Sequence, residues 1–91
     1  MREFKSNQDV FTYVEELISI ARDHGDEETA QSLQDAIHDN FTTSEILGEL
    51  AIALEELQLE MSKEYLEPHR ADISNAIHGI RKAFRKANRP G

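Results

Sequence analysis

The residues of this chain that could do chemistry are its four histidines, its carboxylates and its hydroxyl side chains. Asp35 and His38 lie three positions apart on one predicted helix, as do His69 and Asp72, and such a pair can chelate a cation. A di-iron carboxylate bundle needs two Glu-x-x-His pairs and two more inward glutamates, and this chain contains no Glu-x-x-His. We therefore expect the histidines to lie on the surface, and we predict no metal site and no cofactor.

Nucleophilic catalysis and phosphate binding also lack the residues that they require. The chain has no cysteine, which excludes a thiol nucleophile, a disulfide framework and a thiolate metal site. No serine lies in a nucleophile elbow, and Ser6 and Ser44 are better explained as helix starts. The four glycines are isolated, so no glycine-rich loop exists to hold a phosphate. The sequence predicts a protein that is not an enzyme and has no catalytic residues.

Four amphipathic segments determine where these side chains would be placed. Apolar residues recur with a period of 3.6, which predicts helices over about 7–24, 27–39, 43–65 and 68–88, and no segment has the alternation of a strand. Short connections favour antiparallel neighbours. We therefore predict an all-α fold with a single domain over 1–91, a small four-helix antiparallel (up-and-down) bundle. The alternative is an open arrangement with the second helix across the ends of the others.

The third predicted helix has the clearest start. Thr42 and Glu45 fit a capping box, and Phe41 and Ile46 lie where a hydrophobic staple would form. Pro68 suits the first turn of the fourth helix, where its missing amide proton costs nothing. The other predicted boundary residues are Ser6, Gly25 and Asp26.

Charge is sorted sharply along the chain. Residues 1–80 contain five basic and all eighteen acidic residues, a net charge of −13, whereas residues 81–91 carry +5. Such a field favours basic partners over most of the surface and anionic partners at one end. The basic end supplies the candidate anion-binding residues Arg81, Lys82, Arg85 and Arg89. The alternative is that they pair with the helix dipole and the acidic helices. Because the net charge of −8 repels nucleic acid, we do not expect nucleic-acid binding.

The third predicted helix also carries a second apolar line. Glutamates form an acidic ridge beside its core stripe, and beyond that ridge Ile52, Leu59 and Leu66 recur at intervals of seven. Either the helix is central and buries both lines, or the second line is a docking seam with an acidic rim. We expect Leu59 to be buried and Ile52 to belong to an exposed seam, since Gly48 one turn earlier allows a neighbouring helix to approach. The candidate partner-binding residues are Glu45, Glu49, Ile52, Glu56, Leu59, Glu60 and Leu66.

Residues 36–50 include Thr42-Thr43-Ser44-Glu45-Ile46, and this stretch resembles a pattern in small bacterial helical proteins of unassigned function, in which a T-x-SEI segment opens a long helix. In size, charge and helical content the chain also resembles the small acidic immunity proteins that neutralise secreted bacterial toxins. The colicin-nuclease immunity proteins carry an aspartate- and tyrosine-rich recognition helix, which has no counterpart here. The resemblance therefore implies a binding protein and supplies no site residue.

The N-terminus and the hydropathy pattern bear on location. No apolar segment follows Met1-Arg2-Glu3-Phe4, so no secretory signal is predicted, and the longest apolar run, 50–54, is too short to span a membrane. We expect a soluble cytoplasmic protein without a membrane partner. The predicted function is a non-enzymatic small acidic protein-interaction module, an inhibitor or immunity-type protein in its sharpest form. It would bind a basic partner through the third helix, or self-associate as a homodimer. The alternative is binding of an anionic ligand or nucleic acid through the basic end.

Overall fold

The computed structural model describes residues 3–60 and 63–87, and every regular element within these ranges is helical. The elements are α1 (Asn7–Asp23), α2 (Glu27–His38), α3 (Thr43–Leu59), a 3₁₀ helix (Glu64–His69) and α4 (Arg70–Ala87). The predicted all-α class is thus confirmed. None of the described helices has both the length and the apolar character needed to cross a bilayer.

The corner between α1 and α2 is a tight turn that depends on one glycine. Gly25 has a positive φ of 75°, which only glycine adopts without strain. This conformation lets the Gly25 amide donate to the Arg22 carbonyl at 3.0 Å and the Asp26 amide donate to the Ala21 carbonyl at 2.8 Å, a Schellman ending of α1. Asp26 then caps α2 by accepting from the Thr29 amide at 3.3 Å. The predicted boundary residues Gly25 and Asp26 therefore act as expected.

The start of α3 forms its capping box in a variant geometry. The Thr42 hydroxyl accepts a hydrogen bond from the Glu45 amide at 3.2 Å. The same hydroxyl donates to the Glu45 carboxylate at 2.9 Å, so the carboxylate meets the Thr42 side chain and not its amide. The predicted hydrophobic staple from Phe41 to Ile46 is wrong, because Phe41 is 97% exposed.

The predicted end of the third helix is also wrong, since α3 ends at Leu59 and not at position 65. The backbone carbonyls at this end bind a cation from later in the chain. The Arg70 guanidinium donates to the carbonyls of Gln58 at 3.0 Å and Glu60 at 3.3 Å, and so neutralises the negative end of α3. Pro68, expected in the first turn of the fourth helix, lies in the 3₁₀ helix before α4.

The apolar stripes of the four helices meet in one core, as the sequence period predicts. Tyr13 is fully buried, and its ring packs edge-on against Phe4 with centroids 5.4 Å apart. Leu54 and Ile77 are buried at the centre of their stripes. The buried apolar residues are Val10, Tyr13, Val14, Leu17, Ile18, Ala21, Ala30, Leu33, Ala36, Leu47, Leu50, Ala51, Ala53, Leu54, Leu57, Leu66, Ile73, Ala76, Ile77 and Ile80.

Helix contacts leave one face of α3 uncovered. Helix α1 packs on α2, α2 on α3 and α3 on α4, and α4 also contacts α1 and the 3₁₀ helix. The packing of α3 on α4 does not require the glycine at position 48, because a Cβ there would lie 3.5 Å from Cζ of the Phe84 ring, an ordinary contact distance. Since α3 is flanked by α2 on one side and α4 on the other, its remaining face points away from the core.

Truncating the core should cost much of the stability of so small a domain. We expect Leu54→Ala or Ile77→Ala to lower the free energy of unfolding by about 2–5 kcal/mol, because each leaves a cavity among buried neighbours. Urea denaturation followed by circular dichroism at 222 nm measures the change. The exposed Leu59→Ala is the matched control and should change stability by less than about 0.5 kcal/mol. Equal effects at buried and exposed positions would show that the core face is placed wrongly.

Candidate protein-binding surface

The outward face of α3 exposes two large apolar side chains. Ile52 is 55% exposed and Leu59 is 81% exposed. The expectation that Leu59 is buried is therefore wrong, and so is the alternative in which α3 buries both apolar lines. Leu66, the third member of the predicted line, lies on the 3₁₀ helix and is only 2% exposed. The exposed line on α3 consists of Ile52 and Leu59 alone, because the helix ends before the seven-residue repeat reaches Leu66.

The predicted acidic residues of α3 do lie on its surface. Glu45, Glu49 and Glu56 are exposed on the helix, and Glu60 is exposed at its C-cap. Their spacing of four, seven and four residues keeps them on one side, since residues near multiples of 3.6 share a face. Like charges at i,i+4 disfavour an isolated helix by a few tenths of a kcal/mol, about 0.2–0.5 per pair. The core contacts of α3 offset that cost.

The apolar line borders a groove that α2 and α3 form together. This groove encloses about 400 Å³. Its floor is made by Ala36 of α2 and Ala53 of α3, whose small side chains leave the space between the helices open. Its lining residues are Ser32, Asp35, Ala36, Asp39, Asn40, Glu49, Ile52, Ala53 and Glu56. The structure thus joins three of the predicted residues, Glu49, Ile52 and Glu56, to residues of α2.

Sequence reasoning missed the contribution of α2 to this surface. Asp35 and Asp39 line the groove opposite Glu49 and Glu56, so carboxylates stand along both edges. Asp35 was considered only as a metal ligand beside His38. The signal that points to the surface is the four-residue spacing of Asp35 and Asp39, which places both on one face of α2. Pairing that face with α3 needs the tertiary structure.

The described ion pairs use carboxylates that do not line this groove. Arg22 pairs with Glu27, Lys63 with Asp26, Arg70 with Glu67 and Arg81 with Glu55. Within residues 3–60 and 63–87, no ion pair involves any of the four groove carboxylates Asp35, Asp39, Glu49 and Glu56. Asp35 does accept a hydrogen bond from the Gln31 amide at 2.7 Å. The groove edges are therefore sites of negative charge without a described internal cation.

A polar cluster at one end of the molecule is the second feature that the sequence did not reveal. One oxygen of Asp26, Oδ2, accepts from the Tyr65 hydroxyl at 2.6 Å and from Lys63 Nζ at 2.9 Å. Lys63 Nζ also donates to the Thr29 hydroxyl at 2.9 Å. The Tyr65 ring stacks on His24, with centroids 4.6 Å apart. We call Asp26, Thr29, Lys63 and Tyr65 the Asp26 cluster, and it ties the α1–α2 corner to the segment that precedes α4.

Burial and hydrogen bonding act in opposite directions on the acid of this cluster. Partial burial on its own raises the pKa of the Asp26 carboxyl, but the hydrogen bonds from Tyr65, Lys63 and Thr29 outweigh it and hold that pKa well below its ordinary value. For Tyr65, burial raises the pKa of the hydroxyl, and its hydrogen bond to the charged Asp26 raises it further. Asp26 is therefore held as a carboxylate and Tyr65 as a neutral donor.

The basic end of α4 is partly occupied by the protein itself. Arg81 donates to the Glu55 carboxylate of α3, which bears out the expectation of salt bridges to the acidic helices for this residue. Lys82 and Arg85 are exposed, and Arg89 lies outside the described residues. A shallow depression there is lined by His78, Arg81, Phe84 and Arg85. Of the exposed cations Lys82 and Arg85, Arg85 lines this depression and Lys82 does not.

In the described part of the chain, no group of three histidine or carboxylate side chains lies close enough together to hold a metal ion. His24 stacks on Tyr65, as described above, and His38 and His78 are exposed.

Comparison with known proteins adds no family. No family model, no curated protein and no solved structure matches this chain.

The Asp26 cluster makes stability depend on pH in a predictable direction. Because the pKa of Asp26 is lower in the folded than in the unfolded chain, its contribution is fully present above the unfolded value of about 4 and is lost as pH falls through the folded pKa. We expect Asp26→Asn to lower the free energy of unfolding by about 2 kcal/mol at pH 7, the scale of hydrogen bonds to a charged group. This gap should narrow steadily below about pH 4.

Urea denaturation of the wild type and the variant between pH 7 and pH 2 measures this gap directly. Asp23→Asn is the matched control, because Asp23 is exposed at the end of α1 and takes part in none of the hydrogen bonds of the Asp26 cluster, so this variant should have nearly the wild-type free energy of unfolding at pH 7. A gap of constant size over the whole range would mean that the charge on Asp26 contributes nothing to the fold.

Duplex nucleic acid should not bind to the basic end. We expect no change in the anisotropy of a labelled DNA duplex titrated with micromolar protein at about 0.15 M salt, because the acidic surplus opposes the approach of phosphates. The variant with Arg81→Glu and Arg85→Glu should behave identically. Binding that weakens steeply with salt and disappears in this variant would instead support the anion-binding alternative.

Proposed function

We propose that this protein is a non-enzymatic interaction module that binds a basic partner protein through the outward face of α3 and the adjoining α2–α3 groove. The observation that carries the proposal is the exposure of Ile52 and Leu59 beside Glu49 and Glu56, carboxylates that have no described internal cation. A protein interface combines the same elements, an apolar centre and a polar rim. The proposed site retains Glu45, Glu49, Ile52, Glu56, Leu59 and Glu60, gains Asp35 and Asp39, and omits the buried Leu66.

The energetic roles of the two kinds of residue differ. Full burial of an isoleucine or leucine side chain contributes about 1.5–3 kcal/mol, so covering Ile52 and Leu59 supplies affinity. The carboxylates contribute mainly to the rate of association and to the choice of partner, because complementary fields steer encounter and repel acidic competitors. Phe41, exposed directly after the groove residue Asn40, extends the apolar area available to a partner.

The proposal includes the up-and-down arrangement of the four helices. Contacts between each helix and its neighbours in sequence, together with the contact from α4 back to α1, support it. The turns between α1 and α2 and between α2 and α3 are short, which favours antiparallel neighbours. In this arrangement the α2–α3 groove lies on the outside of the bundle, where a partner reaches it.

Charge argues for a foreign partner over a second copy of this chain. A symmetric homodimer is isologous, so the same patch of both subunits meets itself. An interface centred on Ile52 and Leu59 would therefore bring Glu49 and Glu56 of one subunit close to the acidic residues of the other. Like charges across an interface disfavour association. The most specific function that this charge pattern supports is inhibition of a basic toxin or enzyme, as in immunity-type proteins.

Replacing both exposed apolar residues tests the proposal. We expect Ile52→Asp with Leu59→Asp to leave the fold intact, because both new carboxylates stay hydrated in the free protein. The same change should abolish partner capture, because the carboxylates would be desolvated in the interface without a cation. Affinity capture from lysate of the source cell, followed by quantitative mass spectrometry, identifies proteins that the wild type retains and the variant loses. Thermal melts confirm folding.

The matched control is Ser19→Asp with Ser74→Asp, which adds the same charge at exposed positions of α1 and α4. It should retain the partner that the Ile52 and Leu59 variant loses. If every captured protein binds the wild type and both variants equally, the α3 surface is not a binding site and the proposal is wrong.

A further inference from the structure

We infer that the element bound in the α2–α3 groove is an amphipathic α-helix of the partner, with an apolar strip bordered on both sides by lysine or arginine. This inference rests on the proposed function and makes its partner specific. It follows from three properties of this surface: the small residues of the groove floor, the spacing of Ile52 at the groove and Leu59 beyond it on α3, and the position of the groove carboxylates.

The floor of the groove accepts a rod of helical width. Ala36 and Ala53 are 7% and 8% exposed, and Ile52 is the one large apolar side chain among the lining residues of the groove. Two packed helices offer a third helix a seat between them at an interaxial distance of about 8–10 Å, and small residues favour the shorter distance. The described residues contain no strand to which an extended peptide could add. Helix-in-groove binding is therefore the recognition mode that this surface offers.

The apolar residues repeat with a helical period. Ile52 and Leu59 are seven residues apart, a separation of about 10.5 Å along the helix axis at 1.5 Å per residue. A partner helix with apolar residues at i and i+7, or at i, i+3 and i+7, presents side chains at the same separation. An apolar strip with helical spacing therefore meets both exposed residues of α3 when the two helices run alongside each other.

The groove carboxylates determine the sign of the charge that the partner must carry. Asp35 and Asp39 on α2 and Glu49 and Glu56 on α3 place negative charge on both edges of the groove. Since none of them forms an ion pair with a described residue, the compensating cations must come from outside that part of the chain. Lysine and arginine on both flanks of an apolar strip supply them. The basic end of a second copy of α4 carries similar charge, but its Arg81 already pairs with Glu55.

Binding of a defined peptide tests this inference. The probe is a fluorescently labelled peptide as long as α3, composed only of leucine and lysine, in an order that gives one apolar face on a helix. The reference peptide has the same composition in an order that spreads leucine around the helix. The measurement is made at about 0.15 M salt, where long-range charge effects are screened. We expect the amphipathic peptide to bind the wild type at least about tenfold more tightly than the reference peptide does. Its circular dichroism should become helical on binding.

Two variants locate the bound peptide. Ser32→Trp blocks the groove without changing its charge, and we expect about a tenfold loss of affinity, whereas Ser19→Trp on α1 should cause none. Glu49→Gln with Glu56→Gln should weaken binding and its salt dependence more than Glu3→Gln with Glu15→Gln, which removes the same charge elsewhere. Circular dichroism of each variant confirms that it is folded.

The outcomes separate this inference from the proposed function. Equal affinity for both peptides, or unchanged affinity in Ser32→Trp, overturns the helical occupant. A wild type that self-associates by light scattering and excludes the peptide assigns the groove to a second copy, which also overturns it. If the peptide fails but the Ile52 and Leu59 variant still loses a captured partner, the interaction module stands with an occupant of another kind.

Discussion

The hydrogen bonds of the Asp26 carboxylate are the interaction on which the placement of the segment before α4 depends. It caps α2 through the Thr29 amide and, through its other oxygen, holds Lys63 and Tyr65 of the segment that leads into α4. Charged groups removed from water are stable only when hydrogen bonds and an opposite charge replace the lost hydration. Here both replacements are present, because the carboxylate has three donors and the ammonium two acceptors. The contact joins positions nearly forty residues apart and anchors Lys63 and Tyr65 at the α1–α2 corner.

The position of this cluster explains why α3 has a free face. Lys63 and Tyr65 lie at the α1–α2 corner, Leu66 is buried in the core and Arg70 covers the last carbonyls of α3. Consequently α4 packs on one flank of α3 and α2 on the other. Ile52 and Leu59 lie between these flanks on the outer side. Their exposure thus follows from how the next segment is anchored, and it leaves the surface that we propose for a partner.

The fold class and most of the core follow from local pattern, whereas the surface does not. The stripe that includes Leu50 and Leu54 is buried because a 3.6-residue period leaves an amphipathic helix one face to bury. Gly25 and Thr42 mark boundaries because their roles involve only neighbours in sequence. The predicted end of α3 is wrong because the apolar periodicity continues to Tyr65, whereas the helix ends at Leu59 and its last carbonyls bind Arg70, a contact that no periodicity reveals.

The same distinction between local and distant contacts applies to the candidate site. Glu49, Ile52 and Glu56 could be placed on one surface of α3 from their spacing alone. Whether Leu59 is buried depends on which helices flank α3. Leu66 does not continue the exposed line, because it lies on the 3₁₀ helix beyond the end of α3. Asp35 and Asp39 belong to the candidate site only because α2 packs on α3. None of these facts can be derived from a repeat within one segment.

The unneutralised edges of the groove have a consequence for the free protein. Carboxylates from two helices face each other without a described internal cation, so their mutual repulsion opposes the packing of α2 on α3. Dissolved cations weaken this repulsion over a Debye length of about 8 Å at physiological salt. Any ligand that neutralises the edges more completely binds the folded state in preference to the unfolded one and raises its stability. The stability of the folded protein therefore depends on the ions around it, and the α2–α3 groove is the place where that dependence arises.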